Sequence, residues 1–118
     1  MTCVKINGTL YPATINGRME DRDWGNRESK AITLEMDYTT ALSMFVDGLS
    51  WSIVQQNEVP VYDENGNQTG TEVQETEWDN SEYFIAGSIT DHRDGSITVK
   101  MGKITDAEAL AEIMGVLV

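Results

Sequence analysis

Between Glu58 and Glu82 the chain places eight carboxylates and no Lys or Arg: Glu58, Asp63, Glu64, Glu72, Glu75, Glu77, Asp79 and Glu82. A segment with that charge cannot be folded into a core, because unpaired buried ions are expensive. It has to stay in water. Its backbone pattern is nevertheless regular. Trp51 to Tyr62 reads as an extended strand and Thr71 to Trp78 as its partner. The intervening Asp63-Glu64-Asn65-Gly66-Asn67-Gln68-Thr69-Gly70 is a polar loop with two glycines. The simplest structure for residues 51–82 is a long acidic β-hairpin that projects from the body as an arm.

The flanking stretches supply the body. Val4 and Ile6 alternate with polar neighbours before Asn7-Gly8, the pair that favours a type I′ hairpin turn. The return strand, Thr9 to Tyr11, meets Pro12, which marks an edge or a bend. A further strand is expected from about Ala13 to Asp21, then a polar turn at Asp23-Trp24-Gly25-Asn26. Ala31 to Met36 alternates with period two. A helix over about 39–48 follows, with Thr39 or Thr40 as N-cap and Gly48 as its stop. Its apolar stripe is Ala41, Leu42, Phe45, Val46 and Leu49. After the arm come a strand at Tyr83 to Ala86, a turn at Asp91 to Gly95 and a strand at Ser96 to Met101. Thr105-Asp106-Ala107-Glu108 is a capping box opening a second helix over about 106–115, with Ala107, Leu110, Ala111, Ile113 and Met114 on its apolar stripe.

At 118 residues this is the length of one domain, 1–118, with 1–50 and 83–118 as its two halves. The fold class expected is α+β: a mainly antiparallel sheet with two short helices packed on it. The halves also resemble one another. Ile15-Asn16-Gly17, Ile32 to Met36 and Ala41-Leu42 match Ile85-Ala86-Gly87, Ile97 to Met101 and Ala109-Leu110 at offsets of 70, 65 and 68. Either a strand–turn–strand–helix unit is repeated, or the match is coincidence, since alternating strands that end in Met before a helix are common.

Several function classes are disfavoured. A net charge of −12 repels a phosphate backbone, so no nucleic-acid partner is expected. One Cys and one His leave no disulfide framework and no His/Cys metal cluster, so no metal and no cofactor are expected. Asp63, Asn65 and Asn67 match the first ligand positions of a calcium loop, but Gln68 stands where the glycine belongs. The N-terminus alternates instead of carrying an apolar signal core, and no run is long enough for a membrane span. The expected location is a cytoplasm. No catalytic constellation is visible, and His92 reads as a solvent-facing turn residue, so the chain is expected not to be an enzyme. Mimicry of DNA would need carboxylates at phosphate-like intervals on a rigid surface. Aromatics among charges point instead to contacts. Trp24 and Arg27 are candidate interface anchors, and Tyr62 and Trp78 on the arm are others. The competing expectation for Trp24 is that it folds back on the sheet while the charges around it pair in solvent.

The chain resembles small uncharacterised proteins encoded in prophages of Gram-positive gut bacteria. The segments that carry the resemblance are Asn16-Gly17-Arg18 through Asp23-Trp24, Asn26 to Ile32, Tyr62 to Asn67, Asn80 to Tyr83 and Asp94 to Met101. The resemblance implies a virion-associated or tail-module protein and carries no catalytic residues to transfer. The function expected is therefore that of a non-enzymatic assembly or adaptor subunit of a phage tail or neck. Its partners would be itself, as a homo-oligomer, and other phage structural proteins. The alternative is an acidic inhibitor or DNA mimic acting on a nucleic-acid enzyme.

Overall fold

The computed structural model describes residues 1–114. Seven strands form one antiparallel sheet: β1 (Thr2–Ile6), β2 (Thr9–Asp21), β3 (Arg27–Glu35), β4 (Ser52–Tyr62), β5 (Gln68–Asp79), β6 (Ile85–Asp91) and β7 (Ser96–Gly102), in the order β5-β4-β1-β2-β3-β7-β6. Among the described residues there are also two short α-helices, α1 (Tyr38–Met44) and α2 (Asp106–Met114). The α+β class read from the sequence is the class observed. No described helix is long and apolar enough to cross a membrane.

The first hairpin closes at Asn7-Gly8, whose φ values of +52° and +80° are those a type I′ turn needs. The sequence suggests separate strands before and after Pro12, but the structure has a single 13-residue strand. Thr9–Pro12 pairs with β1, and pairing with β3 begins at Ala13. Pro12 thus sits where β2 changes neighbours, so its missing N–H removes no bond from the β3 ladder.

One face of the sheet is the core. Val4 and Ile6 from β1, Ile32 and Leu34 from β3, and Ile97, Val99 and Met101 from β7 are buried on it. Residues two apart on a strand share a face, so the alternation seen in the sequence fixes this face directly. Helix α1 covers it with Ala41 and Phe45. Asp37 caps that helix by accepting from the Thr40 amide at 2.7 Å, in place of the Thr39 or Thr40 cap expected. The helix ends at Met44. Leu42 and Val46, expected on its buried stripe, are exposed. Helix α2 opens on the capping box: Thr105 Oγ1 accepts from the Glu108 amide and Glu108 Oε1 from the Thr105 amide, at 3.2 and 2.8 Å. It is tethered by an Arg27–Glu108 ion pair, with Ala107 and Leu110 exposed to solvent. The side chains of Ile113 and Met114, and position 115, lie outside the described part.

The inner strands obey the repeat. Thr33 pairs with Thr98, and 98 − 33 gives the offset of 65. Ile32↔Val99 and Leu34↔Ile97 flank this pair symmetrically, so a local twofold runs between the two threonines. Their hydroxyls meet at 2.8 Å on that axis. The outer strands are related differently. Thr14 lies against Thr33 and Thr90 against Thr98, an offset of 90 − 14 = 76 instead of 70. A bulge between Ala86 and Ile89 on β6 and one between Arg18 and Asp21 on β2 account for independent registers.

The β4–β5 hairpin outruns the sheet. β1 reaches only Gln55, and the Met1 carbonyl accepts from Gln56 N at 2.8 Å. Beyond that point residues 57–74 form a free two-stranded ribbon. Six residues of β4 at roughly 3.3 Å each give about 20 Å of arm before the turn. The radius of gyration is 18.3 Å and the long dimension 68 Å, against about 13–14 Å expected for the radius of a compact chain of this length. Every residue of β5 is exposed. Joining Gln56 to Glu75 through an Asn-Gly turn, with residues 57–74 removed, should therefore leave a folded body. Circular dichroism and urea unfolding are expected to show the same sheet with little change in midpoint.

Candidate interaction surface

The turn that carries Trp24 is built by Asp21. Its Oδ1 accepts from the Asp23 amide at 3.1 Å, capping a single 3-10 turn at Arg22–Trp24. Gly25 and Asn26 then take φ of +64° and +59° and send the chain into β3. This geometry lays the indole of Trp24 over β6 and β7, on the sheet face opposite the core. The ring rests where two glycines leave room: a Cβ at Gly87 or Gly102 would stand 2.7 or 2.8 Å from it. The guanidinium of Arg27 sits 5.1 Å from the ring centroid. Arg27 Nη1 donates to the Lys103 carbonyl at 2.6 Å and to Glu108 Oε1 at 2.7 Å, while its Nε is buried without a partner. Trp24 and Arg27 are thus engaged by their own chain, through stacking and an ion pair.

Beneath the same turn, Asp21 is inaccessible to solvent. Its Oδ2 accepts from Lys100 Nζ at 2.8 Å and from Ser29 Oγ at 3.1 Å. The Lys100 hydrogen bond is the leading cause that holds this carboxyl below its ordinary value, against the opposing effect of burial. Both Asp21 and Trp24 pack against β7, so the bulged end of β2 is fastened across β3 to the far half of the sheet.

Tyr62 and Trp78 stand apart from this fastening. Tyr62 is 60% and Trp78 51% exposed, and Val73 between them on β5 is 59% exposed. Pairing places Trp78 opposite Ile53 at the base of the arm. Tyr62 lies at the tip, past a bulge at Val61/Tyr62. The strand alternation sorts the ribbon into two faces. Val59, Val61, Glu72 and Trp78 share one, and Glu58, Tyr62, Val73, Glu75 and Glu77 share the other. Most acids are free of partners from the body. Lys5 reaches Glu77 at 3.2 Å, an exposed pair worth roughly 0–1 kcal/mol. In the tip loop, Asp63 Oδ1 accepts from the amides of Asn65 and Asn67, both at 2.9 Å, so that carboxylate serves as the turn's own cap.

A polar cluster with no local sequence signal fixes the base of the arm. Trp51, just before β4, is 2% exposed and its Nε1 donates to the Tyr83 carbonyl at 2.9 Å. Asn80, just after β5, donates through its amide to the Trp51 carbonyl at 2.9 Å and accepts from Lys30 Nζ at 2.6 Å. The same ammonium lies 4.7 Å from the Tyr83 ring centroid, and Lys103 lies 5.5 Å from it. The Tyr83 hydroxyl donates to Glu28 Oε2. Burial, then Glu28, raise the Tyr83 phenol well above its ordinary value. These residues come from four separate stretches, so no local spacing could have joined them.

A cavity of about 680 Å³ lies at the notch where β2 changes neighbours. Met1, Tyr11, Pro12 and Leu34 line it, and Glu35 is its one carboxylate. Among the described residues no group of three or more His, Cys, Asp or Glu could hold a metal ion. No protein-family model, no curated protein and no solved structure matches this chain.

Two outcomes test the fastening. Gly87→Ala puts a methyl against the Trp24 ring and the Lys100 carbonyl, and should cost about 1–3 kcal/mol by urea unfolding. Trp24→Ala in the same chain should remove most of that added cost. Glu108 is held at about 2, first by the Arg27 hydrogen bond and then by the Thr105 amide, from an ordinary 4.5. A carboxylate lowered on folding stabilises above its unfolded value and loses that contribution as pH falls through its folded value. Acidification from pH 4.5 towards 2 should therefore release α2. Amide NMR shifts of residues 105–111 would follow it, and Glu108→Gln at neutral pH should reproduce it.

Proposed function

We propose that this chain is a non-enzymatic assembly or adaptor subunit that acts by presenting its hairpin arm to neighbouring proteins. The observation that carries the reading is the arm itself: a ribbon that outruns the sheet, with Tyr62 and Val73 exposed on it and Trp78 exposed at its base. Exposed aromatics on a projecting, preorganised element are what contact surfaces are made from. Trp24 and Arg27 are engaged at the far end of the sheet, where they brace the body, so the contact residues are those of the arm. The resemblance to prophage-encoded proteins supports a phage tail or neck as the setting, with copies of the chain and other structural proteins as partners.

An acidic inhibitor of a nucleic-acid enzyme is the second reading. Glu75, Glu77 and Asp79 alternate along β5 at about 6.6 Å, near the interval of a phosphate backbone. Their oxygens are partly engaged, however. Glu77 meets Lys5, Glu75 accepts from Gln56, and Asp79 accepts from Ser81.

Deletion of the gene from a prophage that encodes the chain should leave induced lysates without complete tails by electron microscopy. The whole chain supplied in trans should restore them, and the chain lacking residues 57–74 should not. Normal, infectious particles from the deletion strain would overturn the reading.

A further inference from the structure

Apart from the free side of β2 beyond Pro12, which the Arg18/Asp21 bulge breaks, the sheet has three stretches of open edge, and two of them are closed to strand addition. On β6 the bulge between Ala86 and Ile89 breaks the line of backbone groups, and Asp47 Oδ1 takes the Ala86 amide at 2.8 Å. Along the arm, the side of β4 that β1 does not reach carries Pro60, which has no N–H to offer. The third edge is β5. It is 12 residues long, is paired on one side only, and contains neither Pro nor Lys nor Arg. Edges of this kind are normally blunted, because their free N–H and C=O groups template another strand. Here the guard is charge: Glu72, Glu75, Glu77 and Asp79.

A guard made of carboxylates is selective. It repels a second acidic strand, including a copy of this chain with its net charge of −12. It attracts a basic one. We infer that the β5 edge is a docking site for an extended, basic strand of another protein, added as an eighth strand to the sheet. The register tells what that strand carries. Glu75 and Glu77 lie on one face of β5, and Trp78 lies on the other. A partner strand alternating Lys or Arg with apolar residues sets its cations beside the two glutamates and an apolar side chain beside the exposed indole. Main-chain bonds supply the attachment and the alternation supplies the choice of partner.

This inference rests on the arm being the contact element, and its test is independent of particle formation. The probe is a fluorescein-labelled nine-residue peptide alternating Lys and Val, titrated with the whole chain and followed by anisotropy. Saturable binding is expected, weakening with added salt. The same peptide N-methylated on alternate backbone nitrogens cannot form the ladder and should bind at least about tenfold more weakly. Glu75→Gln with Glu77→Gln, folded by circular dichroism, should weaken binding and flatten its salt dependence. A peptide with Glu in place of Lys should not bind. Absence of saturable binding, or equal binding of the N-methylated peptide, would overturn the inference. The latter would mean charge attraction without strand addition. Missing tails in the deletion strain with no peptide binding would leave the assembly reading standing and remove this one.

Discussion

The hydrogen bond from the Trp51 indole to the Tyr83 carbonyl joins two chain segments that bracket everything between them. Residues 52–79 are spent on a hairpin with little to bury, so the chain leaves the body at Trp51 and must be brought back to it. The buried indole does this from inside the core, where a full aromatic side chain contributes roughly 1.5–3 kcal/mol or more. Asn80, itself buried, does it through polar contacts, tying the Trp51 backbone to Lys30 of β3. With both in place, the sheet continues across β1, β4 and β5 and the ribbon keeps one direction. Without them, an acidic segment of such length would be a loop.

What the sequence made legible follows from this division of labour. Alternating apolar residues at Val4/Ile6, Ile32/Leu34 and Ile97/Val99/Met101 identify strands and the face they bury, because period two leaves one solution. The Asn7-Gly8 turn, the Thr105–Glu108 capping box and the acidic hairpin are likewise local. Helix α1 is misjudged at both ends for a local reason too: Asp37 outcompetes the threonines as a cap, and the backbone leaves helical geometry at Phe45. The candidate surface is half legible. Tyr62 and Trp78 were recognisable as aromatics on a strand too charged to bury. That Trp24 folds back on the sheet was one of its two expectations; where it seats was not legible, because that depends on Gly87 and Gly102, more than sixty residues away and brought beneath the ring only by sheet order.

The two sides of the sheet use different physics to the same end. The core face is a continuous apolar layer under α1. The opposite face is held by a few directed contacts: Asp21 with Lys100 and Ser29, Arg27 with Glu108 and the Lys103 carbonyl, and an indole seated on glycine. The hydroxyl pair of Thr33 and Thr98 sits at the centre of that face, where the two halves meet. One of these directed contacts, Arg27 to Glu108, also tethers α2.

The ribbon, clamped at one end and free at the other, is a cantilever. A slight rotation where Asn80 and Tyr83 grip it is multiplied along some 20 Å to the turn. Changes at Lys30, Asn80 or Lys103 can therefore redirect the tip without altering one atom of its surface. Aim is encoded in the body and grip in the arm, and the two can drift separately.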